Sequence, residues 1–235
     1  MSIPIVGVLG AAVDAGCVAD ATAQALSKAQ VFDLGVNPDE IRTEKVTLVI
    51  VWLDDSGSMS SQRSTVVRVL NENLLVPLKA QQTRNDILVA VVSMWHGVLM
   101  PFTRIEQVEI FEARDFRPDG NSTPMYQGIR DTLRLAVDKQ GELALASIQS
   151  RIMFLAYTDG AENVYSVTAS ELRPLVLDID GRKNNALYGI ACGSRAHASL
   201  TEAGFKRVSN ADDPVALADA FNQFSRATSA AASAS

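Results

Sequence analysis

The stretch VTLVIVWLDDSGSMSSQR, residues 46–63, is the most informative feature of the sequence. Its first part, 46–53, is a continuous run of apolar and β-branched residues, which is typical of a strand covered on both faces. Asp54 and Asp55 end this run, and three hydroxyls follow at Ser56, Ser58 and Ser60. Polar turns are common at strand ends, but a carboxylate followed by hydroxyls at alternate positions indicates a site with a chemical role.

Strand and helix patterns alternate along the rest of the chain. Further buried strands are predicted within 86–95, 150–158 and 185–193, with a short final strand at 206–210, and helices are predicted within 61–80, 124–140, 168–180, 197–205 and 212–227. This alternation predicts an α/β fold with a doubly wound, mainly parallel central sheet and helices on both faces. The segment 97–108 contains Pro101 and predicts one antiparallel edge strand.

The chain of 235 residues divides into three parts. Residues 1–45 are rich in Ala, Gly and Val and predict an N-terminal extension, with a helix over 14–30 and a turn at 33–40. This extension is either an extra helix that covers apolar surface or an element used in assembly. Residues 46–226 form the α/β domain, and the Ala/Ser-rich residues 227–235 are expected to be a disordered tail.

Composition excludes several classes of protein. The net charge is −6 and no run of Lys and Arg is present, which argues against a nucleic-acid-binding surface. No apolar stretch reaches the length of a membrane span. The apolar N-terminus has no basic residue before its apolar run, and Asp14 interrupts that run, so we expect a cytoplasmic protein rather than an exported one.

Topology predicts that polar groups distant in sequence meet at one edge of the sheet. Ligands bind at the carboxyl ends of parallel strands, where the predicted strands end in Asp54 and Asp159 and where the loop 117–124 can open. The converging groups are all oxygen donors, as Mg²⁺ prefers: Asp54, Ser56, Ser58, Thr123 and Asp159. If neutral hydroxyls bind the metal directly, the ion keeps much of its positive charge. It then attracts an anionic oxygen from another molecule. Taken alone, Asp-Ser-Gly-Ser is also ordinary turn and helix-cap chemistry.

These residues resemble a known family. Asp54-x-Ser56-x-Ser58, Thr123 within RPDGNSTPMYQGI and Asp159 within YTDG resemble the metal-ion-dependent adhesion site of the von Willebrand factor type A domain, and the resemblance covers about 46–226. It implies that the two serines bind the metal directly and that Asp54 and Asp159 hold coordinated waters. Thr123 would bind directly when a partner is present. The family's threonine loop usually reads Gly-Gly-Thr, whereas this chain has Gly120-Asn121-Ser122-Thr123, so Ser122 is the alternative ligand.

The resemblance implies a non-enzymatic binding module that recognises a Glu or Asp of a partner protein through Mg²⁺, with Mn²⁺ or Ca²⁺ as alternative ions. The motifs are more similar to prokaryotic intracellular members, which are scaffolds in multiprotein complexes, often beside AAA+ ATPases. The predicted partner-binding rim comprises Asp55, Asn121, Ser122, Met125, Tyr126 and Glu162. Trp95 is interpreted as a packing residue, His96 as an ordinary polar residue and Asn163 as a solvated loop residue.

Two other functions remain open. The chain could be a structural subunit of a larger complex whose metal only holds loops together. A Mg²⁺-dependent phosphatase is a weaker hypothesis. An apolar strand ending in Asp-Asp is also typical of such enzymes, but they need the motif Asp-x-Asp-x-Thr. Ser56 occupies the position of their second carboxylate, and a serine cannot replace that general acid.

Overall fold

A single six-stranded sheet forms the centre of the structure, a computed structural model that describes residues 5–81, 86–160, 162–182 and 184–233. The strands lie in the order β3-β2-β1-β4-β5-β6. They are β1 (Lys45–Leu53), β2 (Asp86–Ser93), β3 (Gly97–Arg104), β4 (Gln149–Thr158), β5 (Ala186–Ala191) and β6 (Arg207–Asn210).

All neighbouring strands are parallel except β2 and β3, which pair antiparallel and place β3 at one edge. The predicted doubly wound, mainly parallel sheet with one antiparallel edge strand is therefore confirmed. In the register of the central strands, Leu53 at the end of β1 lies beside Ser93 of β2 and Tyr157 of β4. The residues that follow these three positions consequently begin at the same edge of the sheet.

Helices cover both faces of the sheet. They are α1 (Ile5–Asp14), α2 (Asp20–Leu26), α3 (Arg63–Val69), α4 (Val76–Ala80), α5 (Met125–Leu145), α6 (Ala169–Gly181), α7 (Ser194–Glu202) and α8 (Pro214–Ser233), with a π-helical turn between α3 and α4. Leu48, Ile50 and Trp52 of β1 pack with α1, α2, α5, α6 and α7. The alternate residues of β1 face α3, α4 and α8, so both faces of the strand are buried as its continuous apolar run predicts.

The N-terminal extension contains two helices rather than the one helix predicted over 14–30. Gly16 has a φ of 71°, and the backbone N–H of Cys17 donates to the carbonyl of Ala12, which together end α1 as a glycine cap does. Further along, Arg134 of α5 donates to the carbonyl of Leu26, and Asp178 of α6 accepts from the backbone of Ala19. The described part of the extension therefore packs on α5 and α6; residues 1–4 lie outside the described residues.

Helix α8 continues to Ser233, where the sequence analysis expected a disordered tail from residue 227. Alanine is the strongest helix former, and Thr228, Ser229 and Ala232 are buried against the domain. Packing therefore orders a segment whose composition alone is typical of disorder; residues 234–235 lie outside the described residues. Among the described helices, none has the length and apolarity needed to cross a membrane.

Candidate metal centre

Asp54 anchors the candidate site at the end of β1. Its backbone N–H donates to the carbonyl of Tyr157, so the turn starts on the central pair of strands. One carboxylate oxygen accepts from the backbone N–H of Ser56 at 2.9 Å, and the other accepts from the hydroxyl of Thr158 at 2.6 Å. The side chain is fully buried, and these bonds fix its orientation.

The two serines connect the end of β1 to the end of β4. The hydroxyls of Ser56 and Ser58 lie 3.0 Å apart, and Ser58 donates to a carboxylate oxygen of Asp159 at 2.9 Å. Ser56 is buried, Ser58 is exposed and Asp159 is half-buried. This row of oxygen atoms therefore runs from the interior to the solvent.

The third segment brings Thr123 to the same place. A Cβ built on Gly160 would lie 3.5 Å from the Thr123 hydroxyl oxygen and 3.6 Å from a carboxylate oxygen of Asp54, so both face the space beside Gly160. The loop is held by two backbone bonds, from Gly57 to the carbonyl of Gly120 at 2.8 Å and from Gly120 to the carbonyl of Asp55 at 3.1 Å. The five predicted ligand residues thus lie together at the carboxyl edge of the sheet.

Thr123 is fixed from both sides. Its backbone N–H donates to the side-chain oxygen of Asn163 at 2.6 Å, and its carbonyl accepts from the backbone of Asn163 at 3.2 Å. The carbonyl of Ser122 accepts from the indole N–H of Trp95 at 2.8 Å. Asn163 and Trp95 therefore both position the threonine loop. The sequence predicts Asn163 only as a solvated loop residue and Trp95 only as a packing residue.

Electrostatics at this edge favour a cation. Burial raises the pKa of the Asp54 carboxyl, and hydrogen bonds from Thr158 and Ser56 oppose that shift. Burial also raises the pKa of Asp159, against the hydrogen bond from Ser58. Ionising two neighbouring carboxyls here is costly, and a bound cation would offset that cost. Within the described ranges, no group of three or more His, Cys, Asp or Glu side chains is arranged to hold a metal ion. The donor set at this edge is therefore hydroxyls and carboxylates, which suits a hard divalent ion.

The sequence predicts Asp55 as part of an exposed partner-binding rim. That prediction is wrong, because the side chain of Asp55 is fully buried. It accepts from the backbone N–H of Trp95 at 2.8 Å and lies 2.7 Å from a ring nitrogen of His96. The other ring nitrogen of His96 lies 3.2 Å from Asp119 in the threonine loop. His96 therefore links two segments of the site, a role that the sequence analysis missed because the pairing depends on the β2–β3 turn.

Three further predicted rim residues are also buried. Met125 lies in the core, and the Tyr126 hydroxyl donates to the carbonyl of Ser199. One carboxylate oxygen of Glu162 accepts from the backbone N–H of Tyr126 at 2.7 Å, which satisfies a free donor in the first turn of α5. Of the predicted rim, Asn121 is exposed and Ser122 is half-buried.

Comparison with known proteins identifies the fold but not a relative. No family model and no curated protein matches the sequence. Among solved structures, a von Willebrand factor type A protein from Catenulispora acidiphila matches 78% of this chain with a TM-score of 0.52 and 16% identity. The proximal thread matrix protein 1 from the mussel byssus, solved with a zinc-occupied metal-ion-dependent adhesion site, matches 80% of this chain with the same TM-score and identity.

A third match is the manganese-loaded TRAP protein of Plasmodium vivax, with a TM-score of 0.50, 15% identity and coverage of 79% of this chain. The chain spans 76% of that protein but only 43% and 49% of the first two. At these identities the likeness concerns architecture. The chain has the fold of a von Willebrand factor type A domain.

Proposed function

We propose that this chain is a non-enzymatic protein-binding module that uses a divalent metal to recognise an acidic residue of a partner. The observation that carries the proposal is the convergence of five oxygen-bearing side chains from three distant segments at one edge of the sheet: Asp54, Ser56, Ser58, Thr123 and Asp159. A turn or a helix cap would need only the first of these segments.

The donor set suggests how the metal is held. Ser56, Ser58 and Thr123 would bind the ion directly, while the carboxylates of Asp54 and Asp159 would hold coordinated waters and orient the hydroxyls. The Thr123 hydroxyl is favoured over Ser122 because it faces Asp54 across Gly160. Mg²⁺ is the proposed ion, with Mn²⁺ or Ca²⁺ as alternatives. When bound, the ion supplies a positive charge that attracts an external carboxylate.

Access from solvent supports the binding role. Ser58 is exposed and Asp159 is half-buried, so a Glu or Asp of another protein can approach the oxygen atoms from outside. From the resemblance of the motifs to prokaryotic intracellular members, we propose a cytoplasmic scaffold in a multiprotein complex, with an AAA+ ATPase as one candidate partner. The domain itself would begin at about residue 46, with residues 1–45 as a packing arm, and would include helix α8 to Ser233.

An alternative role is that of an assembly subunit whose metal only holds loops together. The loops are already joined through Ser58 and Asp159, and Asn163 holds Thr123, so a metal that merely completes these contacts is consistent with the geometry. A phosphatase is disfavoured because Ser56 lies where a general acid is required. The two surviving roles differ in whether an added carboxylate binds the metal-loaded protein.

Thermal unfolding with added cations tests the proposed site. Binding to the folded state raises the unfolding midpoint by mass action. We expect Mg²⁺ or Mn²⁺ to raise the midpoint of wild type over EDTA, and to have no effect on the double variant Asp54→Ala/Ser56→Ala. Ser61→Ala is the matched control, since Ser61 is an exposed serine of the same segment outside the ligand set. Equal responses of wild type and the double variant would contradict the proposal.

A further inference from the structure

Three large hydrophobic side chains are exposed around the candidate metal centre. Trp95 is 47% exposed, Val164 41% and Tyr165 74%. Trp95 is hydrogen-bonded to Ser122 of the threonine loop, and Val164 and Tyr165 directly follow Asn163, which is hydrogen-bonded to Thr123. Hydrophobic residues scattered singly on a surface need no explanation, but a group at the mouth of one site indicates contact with a ligand or partner.

Trp95 is held rigidly on one side of Thr123. Its indole N–H donates to Ser122, and its backbone N–H donates to buried Asp55. The ring lies directly against Gly120, where a Cβ would come 2.1 Å from a ring carbon. A rigid, half-exposed indole loses little conformational freedom on binding, which favours its use as a contact residue.

Tyr165 belongs to a strained turn in the segment that follows β4, whereas Trp95 follows β2, and these two strands lie on opposite sides of β1. Its φ is 58°, a left-handed conformation that costs a non-glycine residue about 1–2 kcal/mol. Glu162 enforces the turn, because one of its carboxylate oxygens accepts from the backbone N–H groups of Val164 and Tyr165 at 2.8 and 3.1 Å. A glycine or asparagine would adopt this backbone conformation more easily, and the turn leaves the Tyr165 ring exposed to solvent.

We infer that Trp95, Val164 and Tyr165 form apolar flanks on the two sides of the metal centre and that they select the partner segment. The fitting partner is a protein segment whose acidic residue lies between apolar side chains: the carboxylate binds the metal, and the apolar neighbours cover the flanks. This inference rests on the proposed function. Burial of the exposed rings supplies affinity that the carboxylate alone does not.

The test compares two blocked tripeptides, Gly-Glu-Gly and Leu-Glu-Leu, titrated into the Mg²⁺-loaded full chain and followed by NMR. The indole N–H signal of Trp95 reports on one flank directly. We expect Leu-Glu-Leu to bind about tenfold more tightly than Gly-Glu-Gly. In Tyr165→Gly, which relieves the backbone strain and removes the ring, this preference falls while Mn²⁺ binding in the absence of peptide is unchanged.

Leu145→Ser is the matched control. Leu145 is 51% exposed at the opposite end of the 21-residue helix α5, about 30 Å from the site along the helix axis. Its substitution should leave the preference unchanged. Equal affinities of the two peptides for wild type, or a full preference in Tyr165→Gly, would overturn the inference while leaving metal-dependent carboxylate binding intact. Failure of wild type to bind Mn²⁺ would instead overturn the proposed function and the inference with it.

Discussion

Gly141→Ala tests whether the N-terminal extension packs on the domain as the structure describes. A Cβ on Gly141 would lie 2.0 Å from the carbonyl oxygen of Val8 and 2.9 Å from its carbonyl carbon. Both are backbone atoms, so no side-chain rotation relieves the contact and α1 must move away from α5. Overpacking of this kind costs about 1–3 kcal/mol, and the upper end applies because the contact is to backbone.

The higher helix preference of alanine partly offsets the cost of this contact. Alanine is more favourable than glycine within a helix by about 1 kcal/mol, and Gly141 lies inside α5. The expected net result is therefore a loss of about 2 kcal/mol in the free energy of unfolding. Equilibrium unfolding in urea measures this difference for variant and wild type under identical conditions.

Gly10→Ala is the matched control within α1. No atom lies within 4 Å of a Cβ built at Gly10, so only the helix preference acts and we expect a gain of up to about 1 kcal/mol. If Gly141→Ala also raised the stability by about this amount, α1 would not lie against α5 in solution. The reasoning about the extension would then be refuted.

Other parts of the structure give three further predictions. His96→Ala leaves buried Asp55 without its ring partner and should cost about 1–3 kcal/mol in urea unfolding, with weaker Mn²⁺ binding because the threonine loop is released. Thr158→Val removes a hydrogen bond from buried Asp54 and should lower stability by a similar amount. Burial raises the pKa of Asp138 to about 6 against the pairing with Arg134, so between about pH 6 and pH 4 the folded state binds a proton that the unfolded chain does not. Wild type should therefore gain stability relative to Asp138→Asn as the pH falls from 6 to about 4, measured in EDTA; a parallel pH dependence would contradict this.

The strands could be predicted because their signal is local. β1 and β2 are continuous apolar runs, and Pro101 marks β3 as an edge strand, so the order of elements follows from the sequence. The helices at the two ends of the chain were harder to predict. The break at Gly16 and the extension of α8 through residue 227 depend on caps and on burial against the domain, which periodicity does not report.

The ligand residues were predicted because topology brings strand ends together. In the structure these five residues lie together, whereas the binding of a metal by them stays a prediction. The prediction of the partner-binding rim was mostly wrong, because side chains next to a site in sequence can point into the protein as well as out of it. Asp55 and Glu162 hold turns by accepting hydrogen bonds from backbone N–H groups. Trp95 and Tyr165 are exposed instead, at positions set by those bonds: one joins distant segments at Asp55 and the others lie within the turn at 162–165.

The most direct test of the account is the affinity of a blocked Gly-Glu-Gly peptide, compared with Gly-Gln-Gly, in Mg²⁺ and in EDTA. We predict measurable binding only for the glutamate peptide in Mg²⁺, and none by Asp54→Ala/Ser56→Ala in either condition. Binding that is the same in EDTA, or the same for the glutamine peptide, would contradict recognition of an acidic residue through a metal. Metal binding without any peptide binding would leave the assembly role as the better explanation.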